Sequence, residues 1–224
     1  MKCWTFRLKL PEMIVMTDWN TLENHFSNLD FDEKSHTYKL NGMVLPSVTT
    51  IMKPLSDDKY STVRADVLDN AANKGSIVHN AIENYLKFGI EDISDEYKPY
   101  FLAFLEFLSD KQPTILATET KVYHKFLGYS GTVDLICMID GEVYLIDYKT
   151  TAVIMRMLTE VQLEAYSKAL DSHEFKVDRK AILHLKKDGT YRFEPHENDS
   201  ESWTVFGCLL TVNSYIKKYK KGEK

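Results

Sequence analysis

The chain has 224 residues, 44% of them hydrophobic and 27% charged, the composition of a folded protein of one domain plus decoration rather than of a disordered or fibrous one. No run approaches the roughly 18 uninterrupted apolar residues of a membrane span. The opening MKCWTFRLKLPEMIVM is broken by Lys2, Arg7, Lys9 and Glu12, so an intracellular, cytoplasmic protein with no membrane partner is expected.

A net charge of -5 weighs mildly against a nucleic-acid partner, because phosphate binding usually leaves a basic footprint. Cys3, Cys137 and Cys208 are scattered, with neither CxxC spacing nor the four thiolates of an iron-sulfur cluster, so neither disulfides nor a cluster is expected. The charge is uneven along the chain. Acids crowd Glu91 to Glu96 and Glu194 to Glu201, whereas KKYKKGEK at the end carries Lys217, Lys218, Lys220, Lys221 and Lys224 against Glu223. That tail reads equally as a solvated helix end whose lysines suit the helix dipole and as a contact for DNA.

In chain order, Thr37 to Leu40 and Met43 to Leu45 flank Asn41-Gly42, a strong hairpin signal, and Pro46-Ser47 then stops the strand and offers a helix cap. Thr62 to Asn73 reads as helix, Gly75 as punctuation, and Val78, Ala81, Ile82, Tyr85 and Leu86 recur at helical spacing until Phe88-Gly89. Tyr97 to Leu108 is aromatic and apolar on most sides, which predicts a largely buried helix. The period then changes. Ile115 to Phe126, Thr132 to Ile139 and Glu142 to Lys149 are rich in Val, Ile, Tyr and Thr, broken at Gly128 and Asp140-Gly141, and predict three antiparallel strands. A helix over about Leu158 to Leu170, a strand Lys180 to Lys187, a turn at Asp188-Gly189, a strand Thr190 to Glu194 and a helix from about Ser200 to Lys218 complete the series.

The expected fold is α/β: a mixed sheet with a three-stranded antiparallel meander and helices on both faces. We read one integrated unit, with an N-terminal extension carrying the hairpin over 1–60, a core over 61–195, and a C-terminal helix and basic tail over 196–224.

Hairpin register points to chemistry. A two-residue turn at Asp140-Gly141 pairs Ile139 with Glu142 and, counting outward, sets Asp134 opposite Asp147. Like charges at roughly 4.5 to 5.5 Å between Cβ atoms destabilise a sheet unless positive charge lies between them, which a divalent cation supplies. Lys149 falls on the same face as Asp147, together with Ile136, Met138, Val143 and Leu145, while Leu135, Cys137, Ile146 and Tyr148 make the other face apolar. A plain ion pair at a strand end is the competing interpretation. Hard carboxylate oxygens suit Mg²⁺ or Mn²⁺, and a neighbouring lysine suits a pentacovalent phosphate; these are the parts of phosphodiester hydrolysis.

GTVDLI at Gly131 to Ile136 and IDYKT at Ile146 to Thr150 resemble the two central motifs of the RecB-type PD-(D/E)xK nucleases. GSIVH places His79 where that family has a metal-binding histidine, and VQLEAY, with Gln162 and Tyr166, is similar to its QxxxY helix motif. The resemblance covers about 74–185, and HTYKLNGMVLPSVTTI further resembles phage-encoded exonucleases of the group. It implies a restriction-endonuclease-like core and metal ligation by His79, Asp134, Asp147 and the Tyr148 carbonyl. It also implies catalysis by Lys149 with Asp134 and Asp147, and support of DNA or of the site by Gln162, Tyr166 and Thr150. Thr132-Val133 stands where the superfamily name promises a proline.

Glu83, one turn after His79, reads as a hydrogen-bond partner of the imidazole or as a solvated acid, and Glu119 as structural. The implied function is DNA cleavage with Mg²⁺ or Mn²⁺, from ends, in phage, recombination or repair processing. A structure-specific or sequence-specific endonuclease and a catalytically silent DNA-binding module of the same fold are the alternatives. Oligomeric state is not legible.

Overall fold

The computed structural model describes residues 18–196 and 200–220; Cys3 and the tail residues Lys221, Glu223 and Lys224 lie outside them. A 3-10 turn (Trp19–Thr21) runs into helix α1 (Leu22–His25) and an antiparallel sheet of β1 (Leu29–Asp32), β2 (Thr37–Leu40) and β3 (Met43–Leu45). The expected hairpin forms its second half. Leu40 pairs with Met43, and Asn41 and Gly42 take φ of 49° and 80°, as a type I′ turn demands. Strand β1 was not expected, because LDFD offers only four residues of alternation. Ser47 caps helix α2 (Val48–Ile51) by accepting from the Thr50 N–H, and α3 (Lys53–Tyr60) follows.

Gly75 does not punctuate: helix α4 runs unbroken through it, Ala65–Phe88. Glycine inside a helix costs about 1 kcal/mol relative to alanine. Burial of Val78, Ala81 and Ile82 in the core outweighs that cost. The helix stops instead at Gly89, whose φ of 68° lets its N–H return to the Tyr85 carbonyl. Helix α5 (Lys98–Lys111) buries Phe101, Phe104 and Phe107 as its aromatic content predicts, although Leu102 stays exposed.

The second sheet has five strands in sequence order: β4 (Thr114–Tyr123), β5 (Ser130–Ile139), β6 (Glu142–Lys149), β7 (Arg179–Leu185) and β8 (Tyr191–His196). Strands β4 to β6 form the antiparallel meander. Helix α6 (Arg156–Asp171) crosses over to β7, which lies parallel to β6, and β8 returns antiparallel. Strand β4 ends before the expected Phe126, because the Phe126 and Leu127 N–H groups turn onto His124 Nδ1. Helix α7 (Ser200–Lys220) closes the described chain.

Both faces of this sheet are covered. Helices α4 and α5 pack on Leu135, Cys137, Ile146, Tyr148, Ala181 and Leu183, while α2, α6 and α7 pack on Val133, Ile136, Leu145 and Ile182. The fold is thus a mixed α/β architecture with helices on both faces, as expected.

The first sheet is tied to the second at the start of β5. Ser130 N–H donates to the Pro46 carbonyl at 3.0 Å, Ser47 bridges to Ser130, and the Tyr38 hydroxyl meets Thr132 Oγ1 at 2.8 Å.

Candidate metal centre

Strand β6 alternates regularly between the two core layers, whereas β5 does not. Val133 and Ile136 enter the α6 layer, yet Leu135 between them enters the α4 layer. The break falls at Asp134. Across the ladder, Thr118 pairs with Leu135 and Thr120 with Val133, leaving Glu119 opposite Asp134, and Glu119 carries a left-handed φ of 47°. For a residue other than glycine such backbone costs on the order of 1 to 3 kcal/mol and persists only where its surroundings enforce it.

The consequence is a convergence of side chains. His79, presented by α4, places Nδ1 3.2 Å from Glu119 Oε1 and 3.6 Å from Asp134 Oδ1. One ligand atom from each of His79, Glu119 and Asp134 lies within 4.8 Å of the others. The imidazole is steadied edge-on against the buried Tyr148 ring, 5.2 Å between centroids.

The hairpin register holds, with Ile139 paired to Glu142, but the pairing ends at Leu135 and Ile146, one step short of the two aspartates. Asp134 instead uses Oδ2 to accept the Tyr148 N–H at 2.7 Å, capping the ladder with its side chain. Asp147 is buried, and its Oδ2 lies 2.5 Å from Lys149 Nζ. Lys149 also donates to Gln162 Oε1 at 3.3 Å, and Gln162 Nε2 donates to the Tyr166 hydroxyl at 3.5 Å. Asp134, Asp147, Lys149, His79, Gln162 and Tyr166 are therefore brought to one end of the meander. Thr150 is buried in the wall beside α4, where a methyl on Gly75 would stand 3.9 Å from its Oγ1.

Two readings of acids change. Glu83 accepts from Lys87 Nζ, one turn further along the helix, at 2.8 Å rather than from His79. Glu119, read as structural, is the third member of the cluster. Its signal in the sequence is faint: a lone acid in a strand of Thr and Val, whose partner across the ladder depends on an irregularity between Ile115 and Ala117 that alternation does not reveal.

Electrostatically the centre is short of positive charge. Burial raises the Asp134 carboxyl to about 7, helped by Asp147 and Glu119 and opposed by His79 and Lys149. Burial works against protonated His79, but Asp134 above all, with Glu119 and Asp147, outweighs it and lifts the imidazole to about 9. Lys149 is likewise pushed down by burial and up by Asp147 and Asp134, the acids prevailing, so it stays charged.

A cavity of about 610 Å³ opens over this cluster, lined by His79, Glu119 and Asp134 on one part and by residues of the first sheet on another. A second, of about 270 Å³, holds Lys149, Tyr60 and Met155; Thr49 and Gln162 line both. Carboxylate oxygens with one imidazole nitrogen, close together and only partly neutralised, are a donor set that fits Mg²⁺ or Mn²⁺.

No family model matches the chain, and no curated protein matches it. Among solved structures it is similar to SSO0001, at 15% identity over 88% of this chain and 82% of that one, with a TM-score of 0.45. It is also similar to the alkaline exonuclease LHK-Exo from Laribacter hongkongensis, at 13% identity over 68% and 84% with a TM-score of 0.36. The complex of LHK-Exo with dAMP gives 12% identity over 80% and 93%, with a TM-score of 0.37. No helix among the described residues is long and apolar enough to cross a membrane.

Proposed function

We propose that the protein is a divalent-metal-dependent deoxyribonuclease that hydrolyses phosphodiester bonds from DNA ends. The observation that carries this reading is the meeting of His79, Glu119 and Asp134 beside a lysine held by Asp147 and Gln162. An isolated structural ion pair between Asp147 and Lys149 has no use for a histidine, two further acids and a cavity. His79, Glu119 and Asp134 would hold the cation, with Asp147 and the Tyr148 carbonyl completing the set. A bound divalent cation supplies Lewis-acid polarisation of the phosphodiester and a water of lowered pKa.

The chain's own groups do the rest. Lys149, kept charged, neutralises the phosphate oxygens as negative charge accumulates and orients the attacking water. Asp147 positions that ammonium, and Gln162 fixes its other side. Tyr166 packs so closely on Gly131 that a Cβ there would stand 2.5 Å from its Cε1, which ties the QxxxY-like helix to the GTVD strand. The resemblance of these motifs to RecB-type nucleases, and of the N-terminal segment to phage exonucleases, supports an exonuclease working in recombination, repair or phage DNA processing in the cytoplasm. The full complement of Asp134, Asp147 and Lys149 weighs against a silent DNA-binding module.

The test is incubation with linear and covalently closed circular DNA in Mg²⁺, Mn²⁺ or EDTA. Degradation of the linear form alone, abolished by EDTA, is expected. Rapid linearisation of the circle would favour an endonuclease, and cleavage in EDTA would sink the metal-dependent reading.

A further inference from the structure

Part of the larger cavity is unused by this chemistry. Phe31 and His36, from the first sheet and its loop, line it together with Tyr38. Tyr38 is buried and anchored through its hydroxyl to Thr132, two residues before Asp134. Phe31 packs on Tyr38 at 4.5 Å between ring centroids, and exposed His36 stands edge-on to Phe31 at 5.1 Å. These three rings thus form one group, attached to the same strand that delivers the metal-site aspartate.

The backbone carries a second sign. In the loop joining β1 to β2, Asp32 Oδ1 accepts the Lys34 and Ser35 N–H groups, and the loop closes at His36 with φ of 49°. Glycine takes that conformation without steric cost. A histidine there keeps an imidazole beside the cavity at the expense of backbone strain, a pattern that clusters at ligand sites. Charge points the same way. Glu33, Glu83, Glu119 and Asp134 line the cavity against Lys121 and the imidazoles of His36 and His79, so its acids outnumber its basic groups. Without a cation the cavity repels phosphate, so what its aromatic part suits is a flat, uncharged group with a π-face.

We propose that Phe31 and His36 form a stacking subsite for an unpaired nucleobase of a DNA strand whose phosphate reaches the Asp134 cluster. This rests on the nuclease reading and narrows its substrate: a base can stack there only when it has left its duplex, so the strand enters single-stranded or frayed. Base-on-aromatic stacking tolerates sequence, because every base has a π-face.

The experiment uses short single strands carrying 2-aminopurine at each position in turn, with Mn²⁺ and the Lys149→Ala variant so that the strand is not consumed. Quenching at one position is expected. Phe31→Leu, which keeps apolar packing against Tyr38, should abolish that quenching and weaken affinity roughly 5- to 150-fold, and Phe31→Trp should restore both. His36→Gly should melt higher, because it relieves the left-handed backbone, yet bind the strand less tightly; a merely structural histidine predicts the first without the second. Quenching at no position, or quenching and affinity indifferent to Phe31→Leu and His36→Gly in a protein that cuts DNA, would overturn the subsite and leave the nuclease reading intact. Quenching that follows Phe31 in a protein that cuts no DNA with any cation would overturn the nuclease reading and leave the subsite.

Discussion

Glu119 stands opposite Asp134 between two paired steps of the β4–β5 ladder, and both carboxylates approach the same nitrogen of His79. The two acids and the imidazole thereby bring together ligand atoms that neither strand alone supplies. Glu119→Gln keeps size and the left-handed backbone problem but removes one charge and one ligand oxygen. It should lower DNA cleavage by at least about tenfold, the order of loss seen when metal-site support is removed, and shift half-maximal activity to higher Mn²⁺. A Mn²⁺ titration identical to wild type would return Glu119 to a structural role.

Gly131 is required by contact rather than by backbone angle. A methyl there would meet Tyr166 Cε1 at 2.5 Å and its Cζ at 3.2 Å, and Tyr166 is buried and bonded to Gln162. Gly131→Ala should therefore cost about 1 to 3 kcal/mol, as overpacking does, and should lower cleavage because Gln162 moves with the ring. Adding Tyr166→Leu should recover stability without recovering activity. An unaltered urea midpoint for Gly131→Ala contradicts the close packing.

Away from the centre, His173 donates Nε2–H to the Tyr123 carbonyl at 3.1 Å, leaving Nδ1 to accept from His25 at 2.8 Å, among the rings of Phe26 and Tyr123. Burial, then His25, holds its pKa down to about 4, with Lys125 and His124 acting in the same direction and the Tyr123 carbonyl against. The folded state thus binds fewer protons than the unfolded one, whose histidines titrate near about 6.5. Stability from this site is whole above the unfolded value, falls between about 6.5 and about 4, and levels off below. Urea unfolding at stepped pH should show that decline in wild type and a shallower one in His173→Gln. Equal slopes would remove His173 as the cause.

The extent to which the site is legible in the sequence follows from the range of each signal. The Asn41-Gly42 and Asp140-Gly141 turns announce themselves because their backbone angles are local, and hairpin counting then carries the register to Leu135 and Ile146. It fails one step further, where Asp134 leaves the pleat to cap Tyr148 N–H and Glu119 turns left-handed. No periodicity encodes that pair, since each half lies on a different strand and the geometry exists only once α4 delivers His79. Gly75 misleads for the opposite reason: its local preference is plain, but tertiary burial of the turns beyond it decides the outcome. Phe31, His36 and Tyr38 carry no signal as a group before the first sheet docks on Thr132.

The proposed sharing of a cation would have a thermodynamic consequence that needs no substrate. Without metal, Asp134 is buried beside Glu119 and Asp147, whose charges oppose its ionisation. Asp134→Asn removes one of the repelling charges while its amide oxygen keeps an acceptor for the Tyr148 N–H, which a change to alanine would orphan inside the sheet. In EDTA the variant should therefore melt as high as wild type or slightly higher, by a fraction of a kcal/mol to about 1 kcal/mol. In Mn²⁺ the order should reverse. A ligand that binds the folded state alone stabilises it by about 2.7 kcal/mol at roughly a hundredfold excess over Kd, and wild type should gain that rise while Asp134→Asn loses most of it. Four melting curves decide the matter. Clear destabilisation of Asp134→Asn in EDTA, with the Mn²⁺-dependent rise kept in full, would mean that the carboxylate serves as a structural ion-pair partner of His79 and that no cation is shared among His79, Glu119 and Asp134.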